Sequence, residues 1–313
     1  YRRDYILVNM CDVWGAATTE SGESRMQRNT LMLPEGKKPL VLSFDDVNYY
    51  EYMLAEGFTS KLVLGDDGQI WAQCTDPNTG ETFLTQDLDA TPILDQFVRA
   101  HPDFSLNGAK GCFSLTGYEG ILGYRTQNDI DIAADDPRRP AFDANRQAEI
   151  EAVKPIIQRL KDTGWTFGSH TWGHINLDSS KVDLDWVKRD TVRWAEEVGS
   201  LVGPTNILFY PHGARPAGDD WHQTGPKLQY LQSQGFRIFA SVGVNSFSYI
   251  KDDLSAVICD RLHPDGTTLR YGGHHYTQFY DVRDIMDTVH RPDYGNNWAE
   301  KASILDQIQK PGA

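Results

Sequence analysis

Apolar runs too short to be helices recur along this chain, the first four each followed further on by a stretch with helical spacing, and that alternation leaves few folds open. The runs are residues 39–44, residues 109–115, Trp165 to Gly168, Ile207 to Tyr210, Phe236 to Ala240 and Ala256 to Cys259. Helices are expected over Pro92 to Ala100 and over residues 145–162, 184–201 and 227–234. Thr91 is the expected N-cap of the first, with Pro92 at its opening position. In the second, Ile150, Val153, Ile157 and Leu160 keep helical spacing, Pro155 should kink it or mark a new start, and Gly164 caps its end. Alternation of this kind argues for parallel βαβ units, and seven or so such units fit a barrel closed by parallel strands. In such barrels the chemistry lies at the C-terminal ends of the strands.

The remaining segments read as additions to that frame. Tyr5 to Val8 has the character of a short strand, and Thr18 to Arg28 is polar and expected to be irregular. Residues 61–83 look like a hairpin insertion: Leu62 to Leu64 lead into the turn signal Asp66-Asp67-Gly68, and Ile70 and Trp71 lead out, with a second turn cluster at Asp76 to Gly80. Asp129, Asp131, Asp135 and Asp136 lie in a polar stretch that lacks the ligand spacing and central glycine of a calcium loop, so a solvated loop is expected there.

A chain of 313 residues with 40% hydrophobic content can build one large α/β domain or two smaller ones. Its formal net charge of −14 argues against nucleic acid or an anionic membrane as partner, since both are polyanions, and leaves neutral or cationic polymers open. No window approaches ~18 consecutive apolar residues, so no membrane span is expected. The chain begins at Tyr1 rather than Met, so a targeting segment removed upstream is compatible with it and the lack of a signal peptide carries no weight. Cys11, Cys74, Cys112 and Cys259 form no C-x-x-C pair; Cys112 and Cys259 sit in apolar runs, as core residues do, and spacing leaves a disulfide open.

Two features carry chemistry. Asp45 and Asp46 end the apolar run that holds Phe44, and His170 and His174 follow Gly168 and Ser169. Histidines four apart can face one ion where the chain turns helically, and a carboxylate completes three protein ligands with a position left open. Successive side chains of a strand point opposite ways, so both aspartates can share a site only where the strand ends. One carboxylate is then free to act as a base beside the cation. A turn or cap for the aspartates, and surface positions for the histidines, are the plainer alternatives. No G-x-S-x-G nucleophile motif and no Gly-rich phosphate loop occurs.

Phe44-Asp45-Asp46, His170-Thr171-Trp172-Gly173-His174 and Tyr210-Pro211-His212-Gly213 resemble, in order, the three first motifs of the polysaccharide deacetylases, carbohydrate esterase family 4, in the form whose third motif reads Tyr-Pro-Tyr-Gly in bacterial members. The resemblance spans roughly residues 39 to 262. It implies a distorted (β/α)7-type barrel, here with an N-terminal extension over 1–38, a catalytic domain over 39–290 that contains the hairpin insertion, and a tail over 291–313. It further implies metal-dependent removal of acetyl groups from amino sugars. Asp45 would be the general base, and Asp46, His170 and His174 would bind the metal, Zn2+ first, with Co2+, Ni2+ or Mn2+ as alternatives. The backbone N–H of His212 would help hold the oxyanion. Trp172, Tyr49, Pro211 and Gly213 would contact a polysaccharide substrate, for which peptidoglycan outside the cell is the preferred expectation.

The sequence departs from that pattern at named positions. Val47 stands where a glycine often follows the aspartates, Phe209 stands in place of the neighbouring arginine, and His212 replaces the usual tyrosine. Arg215 or Arg261 is expected to supply the missing charge beside Asp45. The late histidine that acts as general acid has no clear match; His263, His274 and His275 are the candidates, and His275, in Gly272-Gly273-His274-His275-Tyr276, is taken as the acid. An O-acetyl esterase on xylan or another acetylated glycan, and a carbohydrate-binding relative with a weak site, are the rival functions. Oligomeric state leaves no trace in the sequence.

Overall fold

The computed structural model describes residues 1–285 apart from 19–21, 23, 219–221, 244, 267–268 and 270–272, so the expected tail lies outside the described residues. The chain opens with β1 (Tyr5–Leu7), the single turn α1 (Met10–Val13), a hairpin of β2 (Trp14–Thr18) and β3 (Ser24–Arg28), and then β4 (Lys38–Leu40) and β5 (Leu42–Asp45). The expected strand over 39–44 is therefore two strands. The chain changes partner at Val41: β4 pairs in parallel with β1, while β5 enters the main sheet. The stretch expected to be irregular is the β2–β3 hairpin, which projects polar side chains to solvent and only Trp14 and Met26 inward, so alternation is weak.

After a helical turn, α2 (Glu51–Leu54), the insertion forms a meander of β6 (Thr59–Leu64), β7 (Ile70–Thr75) and β8 (Thr82–Thr85), three antiparallel strands where a hairpin was expected. The turn cluster Asp76 to Gly80 adds the third strand. Next come α3 (Ala90–Ala100), β9 (Gly111–Leu115), α4 (Arg139–Asp162), β10 (Thr166–Ser169), α5 (Leu184–Trp194) and α6 (Ser200–Val202), joined by a π turn over Ala195–Gly199. Then follow β11 (Ile207–Phe209), α7 (Pro226–Ser233), β12 (Ile238–Gly243), β13 (Phe247–Ile250) and β14 (Val257–Leu262). The N-cap of α3 is Asp89, two residues before the expected Thr91, and its carboxylate accepts the Thr91 N–H at 2.8 Å. Helix α4 runs unbroken through Pro155, which lies on the exposed face where water can satisfy the carbonyl that loses its partner.

The main sheet has the order β13-β14-β12-β11-β10-β9-β5. All neighbours are parallel except β13, which pairs antiparallel with β14 and had no sequence signal beyond one apolar alternation. Among the described residues the sheet is open, with β5 and β13 at its ends, rather than a barrel closed by seven parallel strands. It is nonetheless strongly curled. Five strand spacings, about 24 Å in a flat sheet, separate β14 from β5, yet Arg261 on β14 reaches Ser43 and Asp45 on β5 at 2.8 Å.

Period-two alternation sorts the strand residues onto two faces. Cys112, Ile207, Phe209, Ile238, Ala240, Val257 and Cys259 face inward and pack on Met10, Trp14 and Met26, so the N-terminal hairpin plugs the concave side. Phe113, Leu115 and Phe167 face outward onto Val153, Ile156, Ile157 and Leu160 of α4. Leu208, Phe239 and Ile258 do the same with Val187 of α5 and Leu228 and Leu231 of α7. The four cysteines are free thiols, and Cys74, Cys112 and Cys259 are buried. No helix among the described residues is long and apolar enough to cross a membrane.

Candidate metal centre

The polar residues gather where the strands finish. Strand β5 ends at Asp45, in register with Ser114 of β9. Asp46 then donates its N–H to the Ser114 carbonyl at 3.1 Å and takes a left-handed backbone, φ +59°. That single residue answers the geometric problem posed by adjacent acids: the chain reverses its side-chain alternation, and both carboxylates face the same imidazoles. Asp45 Oδ2 lies 4.0 Å from His170 Nε2, and Asp46 Oδ2 lies 3.8 Å from His174 Nε2.

The two aspartates have different surroundings. Arg261 grips Asp45 with both arms of its guanidinium, Nη1 to Oδ1 at 2.8 Å and Nη2 to Oδ2 at 2.9 Å. The same side chain donates to Ser43 Oγ and to the Ser241 carbonyl and lies over the Phe209 ring. Burial pushes the Asp45 carboxyl up, but the charge and hydrogen bonds of Arg261 outweigh it and hold the group below the usual carboxylate range. Arg261 therefore supplies the cation that Phe209 does not, while Arg215 pairs with Asp260 at 3.2 Å. Asp46 instead accepts a hydrogen bond from the Tyr50 hydroxyl at 2.7 Å. The Tyr50 oxygen also lies 2.7 Å from Thr116 Oγ1, which must donate because the phenolic proton is committed to the carboxylate.

His170 is buried just beyond β10, and its Nδ1 lies 2.9 Å from the Phe209 carbonyl. A carbonyl can only accept, so Nδ1 carries a proton and Nε2 is the ring nitrogen turned to the aspartates. His174 packs edge-on against His170, ring centroids 4.9 Å apart, and against His212 at 4.4 Å. Burial lowers the His174 pKa, with the neighbouring imidazoles adding to the effect, so this ring is neutral at neutral pH.

The His170–His174 loop is clamped from behind. The Asp190 carboxylate accepts the N–H groups of Trp172 and Gly173 at 2.7 and 2.8 Å. Trp172 donates its indole N–H to Glu197, and the Arg193 guanidinium lies 3.4 Å from its ring centroid. The Trp172 carbonyl accepts the N–H groups of both Gly117 and Tyr118. Gly117 is required there, because a Cβ would run into the Trp172 indole. Asp46, Thr171, His174 and His212 all hold left-handed backbones although none is glycine, so strain is concentrated on the three loops that meet here.

The other expected contacts fall in different places. Trp172 packs into the core beside α4 and the π turn. Tyr49 is buried and donates to Asp89 at the cap of α3, so the tyrosine that touches the aspartates is Tyr50. Pro211 and Gly213 form a 3-10 turn after β11 that carries His212, and the Gly213 carbonyl accepts Ser241 Oγ–H. His275 lies in another 3-10 turn, Gly273–Tyr276, with its ring against His274; Gly272 of that cluster lies outside the described residues. None of the hydrogen bonds or ring contacts given above for the two aspartates and two histidines involves His275. A cavity of about 1010 Å3 runs along the seam between β5 and β14, lined by Phe44, Asp45, Asp46, Cys259 and Arg261 among others.

Asp46, His170 and His174 form a group that can hold a divalent metal, each offering one ligand atom with all three within 4.8 Å of one another. The donor set fits such an ion: one carboxylate, one imidazole oriented by a second hydrogen bond, and one kept neutral by burial.

Comparison with solved structures finds a chain described as "Crystal structure of putative polysaccharide deacetylase from Mycobacterium smegmatis", 14% identical, with 86% of this chain and 72% of that chain covered and a TM-score of 0.36. No protein-family model and no curated protein matches. A likeness at that identity and TM-score does not extend to activity.

Proposed function

We propose that this chain is a metal-dependent hydrolase that removes acetyl groups from N-acetylated sugars of a polysaccharide, with peptidoglycan as the polymer and the cell surface as the place. What supports the reading is the meeting of Asp45, Asp46, His170 and His174 at the ends of β5 and β10, with the two carboxylates in unlike environments. A divalent ion, zinc by its donor preference, would be held by Asp46, His170 and His174 and would supply Lewis-acid activation of water and of the acetyl carbonyl. Asp45, kept ionised by Arg261, takes the proton from the attacking water. The His212 backbone N–H donates to the developing oxyanion, presented by the left-handed turn that starts at Pro211. Tyr50 holds Asp46 in orientation through its hydroxyl.

One second reading is an O-acetyl esterase, because His275 packs on His274 and makes none of the contacts described for the centre, and an alcohol leaves with less help from an acid than an amine does. The deciding experiment measures bound metal in the purified protein and acetate release from chitooligosaccharides, peptidoglycan and acetylated xylan. Acetate from the first two supports the N-deacetylase; acetate from xylan alone supports the esterase. Bound metal with no acetate from any of them would refute both and leave a binding protein.

A further inference from the structure

Two tyrosine rings stack with that of Tyr50. The Tyr118 ring lies parallel to it at a centroid distance of 4.9 Å and an angle of 11°, and the Tyr52 ring at 5.8 Å and 10°. The Tyr50 hydroxyl bonds Asp46, which ties these rings to the candidate metal centre. Tyr118 is anchored to the histidine loop, since its N–H donates to the Trp172 carbonyl. Tyr52 is anchored through the first turn of α2: Glu51 donates its N–H to the Glu119 carboxylate at 2.8 Å, and Arg125 ties the Tyr49 and Glu119 carbonyls together. Tyr52 is nevertheless 69% exposed.

A lone surface aromatic needs no explanation. This one is held parallel to a buried ring, on a turn fixed by three polar contacts, with its far face open. We propose that Tyr52 is a stacking subsite for a saccharide ring that flanks the acetylated sugar at the metal centre. The ligand is a β-1,4-linked chain of N-acetylated hexosamines. The C–H face of a pyranose packs on an aromatic face much as another ring does, and Glu51 and Glu119 beside the stack accept hydrogen bonds from sugar hydroxyls. A strongly acidic chain disfavours a polyanion as occupant. The subsite rests on the reading of the centre as a glycan deacetylase and specifies where the polymer extends beyond it.

The test titrates chitohexaose into the Asp45→Asn protein, with and without Tyr52→Ala or Tyr52→Trp, and compares acetate release from chitohexaose by the proteins that keep Asp45. The expected result is a Kd weakened about tenfold by Tyr52→Ala and restored by Tyr52→Trp, with a matching rise in KM for chitohexaose. A Tyr52→Ala protein that binds within about twofold of its parent overturns the subsite, as does a parent that does not bind chitohexaose. Tyr52-dependent binding without acetate release keeps the subsite and removes the deacetylase.

Discussion

Asp45 and Asp46 are neighbours in sequence with opposite fates, and the difference is made by what each touches. Asp45 faces a guanidinium and Asp46 a phenol. Asp45→Asn should therefore bind the metal as the parent does and lose about 10²–10⁴-fold in acetate release. Turnover at parental rate would remove the base assignment. Asp190 makes a separate, pH-dependent prediction. Burial raises its pKa to about 6, against the two backbone N–H groups that favour the anion. The folded chain then holds more protons than the unfolded chain between roughly pH 4 and 6, and stability falls as pH rises across that window. The penalty at neutral pH is on the order of 3 kcal/mol. Thermal unfolding of Asp190→Asn across pH 4–7 should show a flatter slope than the parent, and an unchanged slope would reject this account. Asp190→Ala should weaken metal binding about 10–100-fold, because nothing then orders the loop amides between the two histidines.

At the level of elements, the site depends on one helix and one glycine behind the histidine loop. Gly117→Ala would force the Trp172 indole off its seat. It should cost about 1–3 kcal/mol in denaturant unfolding and loosen the metal; a variant as stable as the parent would show that the indole has room to move. The paired aspartates and the His-x-x-x-His segment were legible because they sit at strand ends, where backbone direction and side-chain direction are easy to infer. The turn after β11 was legible for the same reason. The N-terminal hairpin was not, since a ribbon with two buried side chains lacks a period. Pro155 starts no new helix, because it lies on the exposed face of α4, where water can take up the carbonyl left without a partner. Arg261 was one of two candidates, and no local pattern could choose between them: its partner is on a strand five places away across the sheet. Tyr50 was hidden among three tyrosines whose directions depend on the left-handed residues Asp46 and Tyr49.

For the whole molecule, a metal that binds only the folded chain adds stability by mass action. At a free concentration near 100 Kd the gain is about 2.7 kcal/mol, worth a rise in Tm of roughly 5 °C. His174→Ala should abolish that rise, and unchanged metal stoichiometry in that variant would exclude His174 from the centre. The curled sheet has a further property that follows from its open edge. Between β14 and β5 a two-armed clasp, fastened onto the proposed base itself, bridges the gap. Because the Asp45 carboxyl is held below its ordinary range, the clasp stays shut at neutral pH and loosens only under acid. Acid strong enough to open the clasp would thus also neutralise the proposed proton acceptor.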